Sequence, residues 1–154
     1  MTVHTKRLTI RLSSNEEMKA LIAQQDDTEL IKAYGEMHDL SVAHPELRQW
    51  YAAWFIYLAD KRIGDVCFKG LSSGGSVEIG YGLLPEFWGN GYATEAVMAM
   101  TEWASKQPGV KFIEAEAEDS NIASKRVLEK AGYVPTGKIG EEGPRFLWHK
   151  PADS

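Results

Sequence analysis

Large apolar side chains alternate with small or polar ones along several short stretches of the chain, and a period of two predicts strands. In the clearest stretch, 76–84, a bulky apolar face opposes one carboxylate and two glycines: Val77, Ile79, Tyr81 and Leu83 against Glu78, Gly80 and Gly82. Six further strands are predicted at 6–12, 54–58, 63–71, 112–117, 133–139 and 145–150. The stretch 76–84 is therefore the fourth of seven strands, and 112–117 is the fifth.

Apolar residues spaced three and four apart predict four helices. The first two follow capping residues near Ser14 and Asp26. The third begins close to Tyr92, and the fourth follows Asn121 and ends at Gly132. The order is strand, two helices, three strands, helix, strand, helix and closing strands, which predicts one α+β domain over residues 1–154.

Composition narrows the function classes. The 154 residues, 44% hydrophobic and 25% charged, are ordinary for one globular domain. The longest apolar run, 51–59, is too short to span a bilayer, and the first ten residues do not form a signal peptide. Cys67 is the only cysteine, so no internal disulfide and no cysteine-based metal cluster is expected. We therefore expect a cytoplasmic protein with no membrane partner and no metal.

The formal charge of −5 gives no basic footprint for nucleic acid, and it mildly favours a cationic substrate over an anionic one.

The turn Gly89-Asn90-Gly91 leads directly into the third helix, where it can hold a phosphate or pyrophosphate. The first N–H groups of a helix lack intrahelical partners and carry partial positive charge, and glycine lets the backbone approach an anion closely. A P-loop is excluded because Tyr92 and Ala93 stand where Lys and Ser or Thr are needed. A Rossmann fingerprint is excluded because Thr94 replaces its third glycine.

Four motifs in order over about residues 76–135 resemble the GNAT acyltransferase superfamily, in its Rim-like, ribosomal-protein acetyltransferase branch. They are Glu78-Ile-Gly-Tyr81, Pro85-Glu-Phe-Trp-Gly-Asn-Gly-Tyr-Ala-Thr-Glu-Ala96, Asn121-Ile-Ala-Ser124 and Val127-Leu-Glu-Lys-Ala-Gly-Tyr133. The resemblance implies the GNAT fold, a three-layer arrangement around a mixed, mostly antiparallel sheet of about seven strands with about four helices. In that fold the fourth and fifth strands splay apart.

The resemblance also implies acetyl-CoA as co-substrate. Its pyrophosphate is expected on the backbone of the turn and the first helical turn, Gly89, Asn90, Gly91, Tyr92, Ala93 and Thr94. The pantetheine arm is expected along the fourth strand at Gly82, Leu83 and Leu84, with the N–H near Leu83 as oxyanion donor, and beside Asn121 and Ser124. Asn121 can also act as a helix cap. One departure is Glu86, where many members have Arg or Gln.

Glu78 is the predicted general base, because partial burial in an apolar strand would raise its pKa. The alternative is a carboxylate that faces solvent or pairs with a structural cation. Many family members have a tyrosine as general acid seven residues after the Asn, but Leu128 stands there. The thiolate's proton must then come from Ser124, water or bulk solvent.

Three residues are candidates for acceptor binding. Glu116 lies with Glu114 and Glu118 on one face of the fifth strand, where it orients a cationic acceptor or belongs to a solvated strand face. Trp50 and Tyr51 either contact the acceptor, as the resemblance implies for this variable region, or close the edge of the core.

These observations predict an acetyl-CoA-dependent N-acetyltransferase that acts on a primary amine by direct attack in a ternary complex. The acceptor is a small-molecule amine or a peptide or protein N-terminus. The alternative function is a coenzyme-A-binding sensor or interaction protein with little or no turnover. A homodimer through the closing strands is a further expectation.

Overall fold

The computed structural model describes residues 1–150, in which one eight-stranded sheet carries helices on both faces. The strands are β1 (Thr2–His4), β2 (Thr9–Leu12), β3 (Trp54–Leu58), β4 (Lys61–Phe68), β5 (Ser76–Leu83), β6 (Phe112–Glu116), β7 (Val134–Ile139) and β8 (Pro144–His149). The helices are α1 (Asn15–Ala23), α2 (Thr28–Ala43), α3 (Arg48–Tyr51), α4 (Tyr92–Ser105) and α5 (Ile122–Lys130), with 3₁₀ turns at Pro45–Leu47 and Pro85–Phe87.

The strand order is β1-β2-β3-β4-β5-β6-β8-β7, and every neighbouring pair is antiparallel except β5 with β6. This confirms the predicted GNAT fold with a mixed, mostly antiparallel sheet. The structure adds two elements that the sequence pattern did not show, β1 and α3. They have three and four residues, too few for a period of two or of 3.6 to become visible.

The predicted splay is present between β5 and β6. The two strands pair in parallel from Ser76 opposite Phe112 to Ile79 opposite Ala115. Residues 80–83 continue beside β4 alone. The second half of β5 therefore borders a gap in the sheet rather than another strand.

Two apolar clusters hold the layers together. The larger lies between the sheet and α4 and α5, where Ile79, Ile113, Met100 and Leu128 are buried. The smaller lies on the opposite face under α1 and α2 and is centred on Met18, Leu21 and Phe55.

Local signals at the helix ends are mostly confirmed. The capping box of Ser14 and Glu17 is complete at the start of α1. The cap of α2 is Asp27 rather than the predicted Asp26, because the Asp27 carboxylate accepts the Glu29 N–H at 2.8 Å. Gly132 has a φ of 94° just after α5, in the left-handed region that commonly ends helices. No helix within residues 1–150 has the length and apolar character required to cross a membrane.

Candidate active site

The glycine turn has the backbone geometry of an anion site. Gly89 and Gly91 have φ values of 80° and 79°, in the region that favours glycine, and α4 begins at Tyr92 as predicted. The N–H groups of Tyr92, Ala93 and Thr94 lie in the first turn of a 14-residue helix, where no preceding carbonyl is in position to accept them. These donors are in place for a pyrophosphate.

Arg7, which the sequence analysis did not single out, braces this turn from the β1–β2 loop. Its Nη1 donates to the Asn90 carbonyl at 2.9 Å, and its Nε pairs with Glu95 at 2.7 Å. The guanidinium lies 4.5 Å from the centre of the Tyr92 ring, and a Cβ at Gly91 would be 3.3 Å from Nη2. Arg7 and Glu95 are 88 positions apart, so no local motif reveals the contact.

The backbone groups of the three residues predicted to contact pantetheine, Gly82, Leu83 and Leu84, do not all point the same way. The Leu84 N–H donates to the Ile63 carbonyl on β4 at 2.8 Å. The Gly82 carbonyl also points toward β4, because a Cβ at Gly64 would collide with it. Gly82 and Leu84 therefore turn their backbone groups to β4, away from the gap.

Backbone groups alternate sides along a strand, so those of Leu83 face the gap. Its carbonyl accepts the indole N–H of Trp88 at 3.0 Å. The Leu83 N–H thus remains directed at the space in which the sequence analysis expects an oxyanion. Side chains added at Gly80 and Gly82 would meet nothing within 4 Å, so one face of β5 is open here.

On the far side of the gap, the Ser124 hydroxyl of α5 is hydrogen-bonded to a hydroxyl from β5. Asn121 caps the helix by accepting the Ser124 N–H at 2.9 Å. The Ser124 Oγ is 2.8 Å from the phenol oxygen of Tyr81, which reaches across from β5. Burial raises the pKa of the Tyr81 phenol, and the hydrogen bond with Ser124 offsets part of that rise. The alternation along β5 indicated only an apolar role for Tyr81, so its hydroxyl contact is a new finding. Leu128, which stands at the family's tyrosine position, is fully buried in the core.

The surroundings of Glu78 differ from those that the sequence predicts for a general base. Its two carboxylate oxygens pair with Lys69 Nζ at 2.8 Å and Arg145 Nη2 at 2.7 Å. Burial by itself raises the pKa of Glu78, but the hydrogen bonds from Lys69 and Arg145 outweigh it, so the pKa is lowered. The predicted rise in pKa is therefore wrong, and the alternative of pairing with a cation is what the structure shows.

Arg145 of β8 joins several acidic residues into one network. Its Nη1 is 2.7 Å from Glu116, whose second oxygen accepts the Glu142 N–H at 3.1 Å. The Glu116 side chain is only 8% exposed, so it is neither solvated nor free to meet an acceptor in this arrangement. The pKa of Arg145 is raised by its hydrogen bonds with Glu78 and Glu116.

Trp50 is a core residue, which corrects its assignment as a substrate contact. It is 3% exposed and packs edge-on against Phe68 and beside Trp103, each at a ring-centre distance of 5.3 Å. Tyr51 is partly buried next to His44 and the backbone at Gly70. Its acceptor role stays a prediction.

A sequence model of the acetyltransferase (GNAT) domain matches residues 7–134. The chain is 28% identical over 150 residues to the uncharacterized N-acetyltransferase YoaA of Bacillus subtilis strain 168, covering 89% of this chain and 85% of YoaA. Its fold is similar to that of the RimL ribosomal L7/L12 α-N-protein acetyltransferase in complex with coenzyme A (TM-score 0.77, 15% identity, 99% and 100% of the two chains).

The fold is also similar to the aminoglycoside acetyltransferase AAC(6′)-Ib in complex with coenzyme A and kanamycin (TM-score 0.68, 20% identity, 93% and 95% of the two chains). These two identities show a shared fold. The domain match, in contrast, covers most of the sequence, including the glycine turn and Asn121-Ile-Ala-Ser124. The chain therefore belongs to the GNAT acetyltransferase family.

Proposed function

We propose that this protein transfers the acetyl group of acetyl-CoA to a primary amine by direct attack in a ternary complex. The observation that carries the proposal is the gap between β5 and β6. It has the Leu83 N–H on one side and the Ser124 hydroxyl on the other, and the glycine turn lies in the connection that leads from β5 to α4.

Acetyl-CoA supplies an activated thioester, and the residues of the chain fit its groups. The N–H groups of Tyr92–Thr94 face the pyrophosphate, and no acidic side chain other than Glu95, which Arg7 neutralises, lies in the first turn of α4. The pantetheine arm lies along Leu83, whose N–H stabilises developing charge on the acetyl oxygen.

Ser124 is the proposed donor of a proton to the departing thiolate, because its hydroxyl borders the gap and shares a hydrogen bond with the Tyr81 phenol, in which either oxygen can donate. The Tyr81 phenol also donates to the Ser124 carbonyl at 3.1 Å. A thiol has a pKa of about 8.5, so a weak acid suffices near neutral pH. The pair compensates for the missing tyrosine at Leu128. This weakens the alternative of a coenzyme-A sensor without turnover.

Direct attack is favoured over an acetylated enzyme by the state of the only cysteine. Burial, together with the nearby Asp65, raises the pKa of the Cys67 thiol well above its usual value. A buried thiol of raised pKa contains little thiolate, the form that attacks thioesters.

The acceptor is proposed as an amine that reaches the open face of β5 at Gly80 and Gly82. RimL is an α-N-protein acetyltransferase and AAC(6′)-Ib was solved with kanamycin, so this fold serves acceptors of very different size. An α-amine, with a pKa near 8, is partly neutral at cellular pH, whereas a lysine amine near 10 is not. We therefore favour an N-terminal or other weakly basic amine. The cytoplasmic location and the homodimer stay predictions from the sequence.

The proposal is tested by calorimetric titration with acetyl-CoA, followed by an amine screen that monitors release of free thiol. Gly91→Glu places a carboxylate where the pyrophosphate is expected and forces a non-glycine residue to a φ of 79°. We expect acetyl-CoA affinity to fall by at least about 30-fold, since one like charge and backbone strain each cost on the order of 1–3 kcal/mol.

Gly91→Ala is the matched control, because it adds the strain without the charge and should weaken binding less. Absence of binding by the wild type would refute the acetyl-CoA assignment. Binding without turnover on any amine would favour the sensor.

A further inference from the structure

A carboxylate without an ion pair lies beside the open face of β5. Asp65 stands directly opposite Gly82 in the β4–β5 register, and such hydrogen-bonded cross-strand pairs have Cα atoms about 5.5 Å apart. Gly82 has no side chain, and a Cβ there would touch nothing within 4 Å. Asp65 itself remains partly exposed. Its carboxylate therefore borders space that a substrate can enter.

One helix residue fixes this carboxylate in place. The phenol of Tyr34, from α2, donates to Asp65 Oδ2 at 2.8 Å. The other oxygen, Oδ1, has only the weak thiol donor of Cys67 at 4.0 Å. In the described part of the chain no lysine, arginine or histidine forms an ion pair with Asp65. Oδ1 is thus available to a cation or a proton.

The charged and titratable groups around Asp65 do not neutralise it. Arg62 does not contact Asp65, because its guanidinium donates to Gln24 at 3.1 Å and stacks over the Phe55 ring at 4.8 Å. Lys69 forms its ion pair with Glu78. Within the described residues the other neighbours of this region are not cations: Tyr34 from α2, Cys67 from β4, Phe55 from β3, Gly82 from β5, and Met18 and Leu21 from the cluster under α1 and α2.

From this geometry, and on the basis of the proposed function, we propose that Asp65 binds the ammonium group of the acceptor and takes its proton. Tyr34 positions the carboxylate through its hydrogen bond. The pocket so defined accepts a primary amine, and its single uncompensated negative charge selects a cationic acceptor over an anionic one.

The proton balance is complete. The acceptor R–NH₃⁺ gives one proton to Asp65, which later releases it to solvent. The freed lone pair adds to the acetyl carbon, and the C–S bond breaks as the resulting oxyanion collapses to the amide. The nitrogen gives up a second proton in this collapse, and that proton replaces, through solvent, the one that Ser124 delivers to the thiolate. The sum is R–NH₃⁺ plus thioester giving N-acetylamine, thiol and one proton released to solvent.

Asp65 suits this role better than Glu78 for a stated physical reason. Burial raises the pKa of Asp65, and only the Tyr34 hydrogen bond and the more distant Arg62 oppose it. Two cations lower the pKa of Glu78 and occupy both of its oxygens. A base is more effective as its pKa rises toward the working pH, so Asp65 gains and Glu78 loses basicity.

The test compares Asp65→Asn, Tyr34→Phe and Glu78→Gln with Asp60→Asn, which removes the same charge from the exposed β3–β4 turn. The acceptor probes are a peptide with a free α-amine, an N-acetylated peptide with one lysine, and kanamycin. We expect Asp65→Asn to lower kcat/KM by about 100- to 1,000-fold, in the range for a lost general base, and Glu78→Gln by less than about tenfold. Acetyl-CoA affinity should stay within about twofold in every variant, because none touches the donor turn.

Tyr34→Phe separates positioning from a merely structural effect. The Tyr34 hydrogen bond lowers the pKa of Asp65, so its removal raises that pKa further. The acid limb of kcat/KM, below which the base is protonated and inactive, should then move to higher pH. An unmoved limb, or Asp65→Asn turnover within about threefold of wild type, would overturn the proposal.

NMR titration of ¹³C-labelled aspartate carboxyl groups measures the pKa of Asp65 directly, even without turnover. The Asp65 signal is identified as the one that is absent from Asp65→Asn. We expect it to titrate above the value of about 3.9 for a free aspartate, and higher still in Tyr34→Phe. A titration at or below that value contradicts the inference. Wild-type protein that binds no acetyl-CoA would instead refute the proposed function, so the two failures are distinguishable.

Discussion

The proposed site has a donor side and an acceptor side, which are built from different groups. The donor side consists mainly of backbone N–H groups, at the start of α4 and at Leu83, together with Asn121 and Ser124. The acceptor side consists of side chains from distant elements, with Tyr34 on α2, Asp65 on β4 and Glu78 on β5. A backbone site needs a local sequence with glycines and a helix start, whereas a side-chain site needs the whole sheet in register.

The carboxylates of the acceptor side differ just as clearly from one another. Glu78 and Glu116 share Arg145, and their charges are compensated within the protein. Asp65 accepts a hydrogen bond from the Tyr34 phenol, and within residues 1–150 it forms no ion pair. The compensated carboxylates link β5, β6 and β8. An uncompensated one is available to a substrate, which is why we propose Asp65 rather than Glu78 as the base; exposure and residue type alone do not distinguish the two.

The largest effect is expected from a substitution that fills space on the acceptor side and leaves the donor side unchanged. Gly80→Val should lower kcat/KM for the amine by at least about 100-fold, because the branched side chain occupies the open face where the amine must approach in alignment. Acetyl-CoA affinity should change little. Steady-state kinetics and calorimetry measure the two effects separately.

Gly80→Ala is the size control and should retain most activity, because a Cβ at this position touches nothing within 4 Å. Thermal unfolding should show both variants folded, since valine suits a strand. If Gly80→Val weakened acetyl-CoA binding as strongly as turnover, the two sides would not be separate.

A smaller effect is expected on the donor side from Tyr81→Phe, which removes the phenol that is hydrogen-bonded to Ser124. We expect kcat to fall about tenfold, less than for a typical lost acid, because Ser124 remains and a thiolate is a good leaving group. Tyr133→Phe is the matched control, since its phenol bonds the buried Thr101 at 2.7 Å in the core.

Both tyrosine variants should lose about 1 kcal/mol of stability for each hydrogen bond removed, with the Ser124 carbonyl and hydroxyl for Tyr81 and with Thr101 for Tyr133, but only Tyr81→Phe should lose turnover. Equal kcat in the two variants would remove Tyr81 from the mechanism.

The smallest expected effect comes from Arg7→Lys. A lysine cannot maintain the forked contacts to Asn90 and Glu95, so the turn should be held less firmly. We expect the Kd for acetyl-CoA to rise about fivefold, or on the order of 1 kcal/mol, with kcat nearly unchanged.

Arg11→Lys, which breaks the fork to Glu17 far from the turn, should leave that Kd unaltered and serves as the control. A decrease in kcat without a change in Kd for Arg7→Lys would assign Arg7 to another step.

Much of the fold could be predicted, because long strands and helices have a hydrophobic periodicity that is visible in the sequence. The order from β2 to β8 and the start of α4 at Tyr92 followed from alternation, helical spacing and glycine positions, and the splay followed from the resemblance to the GNAT family. The short β1 and α3 did not, since they are too brief to show a period. For Trp50 the sequence left acceptor contact and core packing open, because an aromatic residue beside a short helix has no local signal of burial, and the structure shows core packing.

The sequence by itself determined the backbone-built half of the site, since Gly89, Gly91 and the helix that follows fix φ and free N–H groups through neighbours only. The tertiary structure decided the charge state of the other half. Which role a carboxylate can take depends on the cations that reach it. Lys69 and Arg145 pair with Glu78, whereas Asp65 accepts a hydrogen bond from Tyr34 and, in the described part of the chain, forms no ion pair. Arg145 comes from 67 positions away, and Tyr34 and Asp65 are 31 positions apart. Electrostatic energy depends on distance in space, and the chain order does not contain that distance.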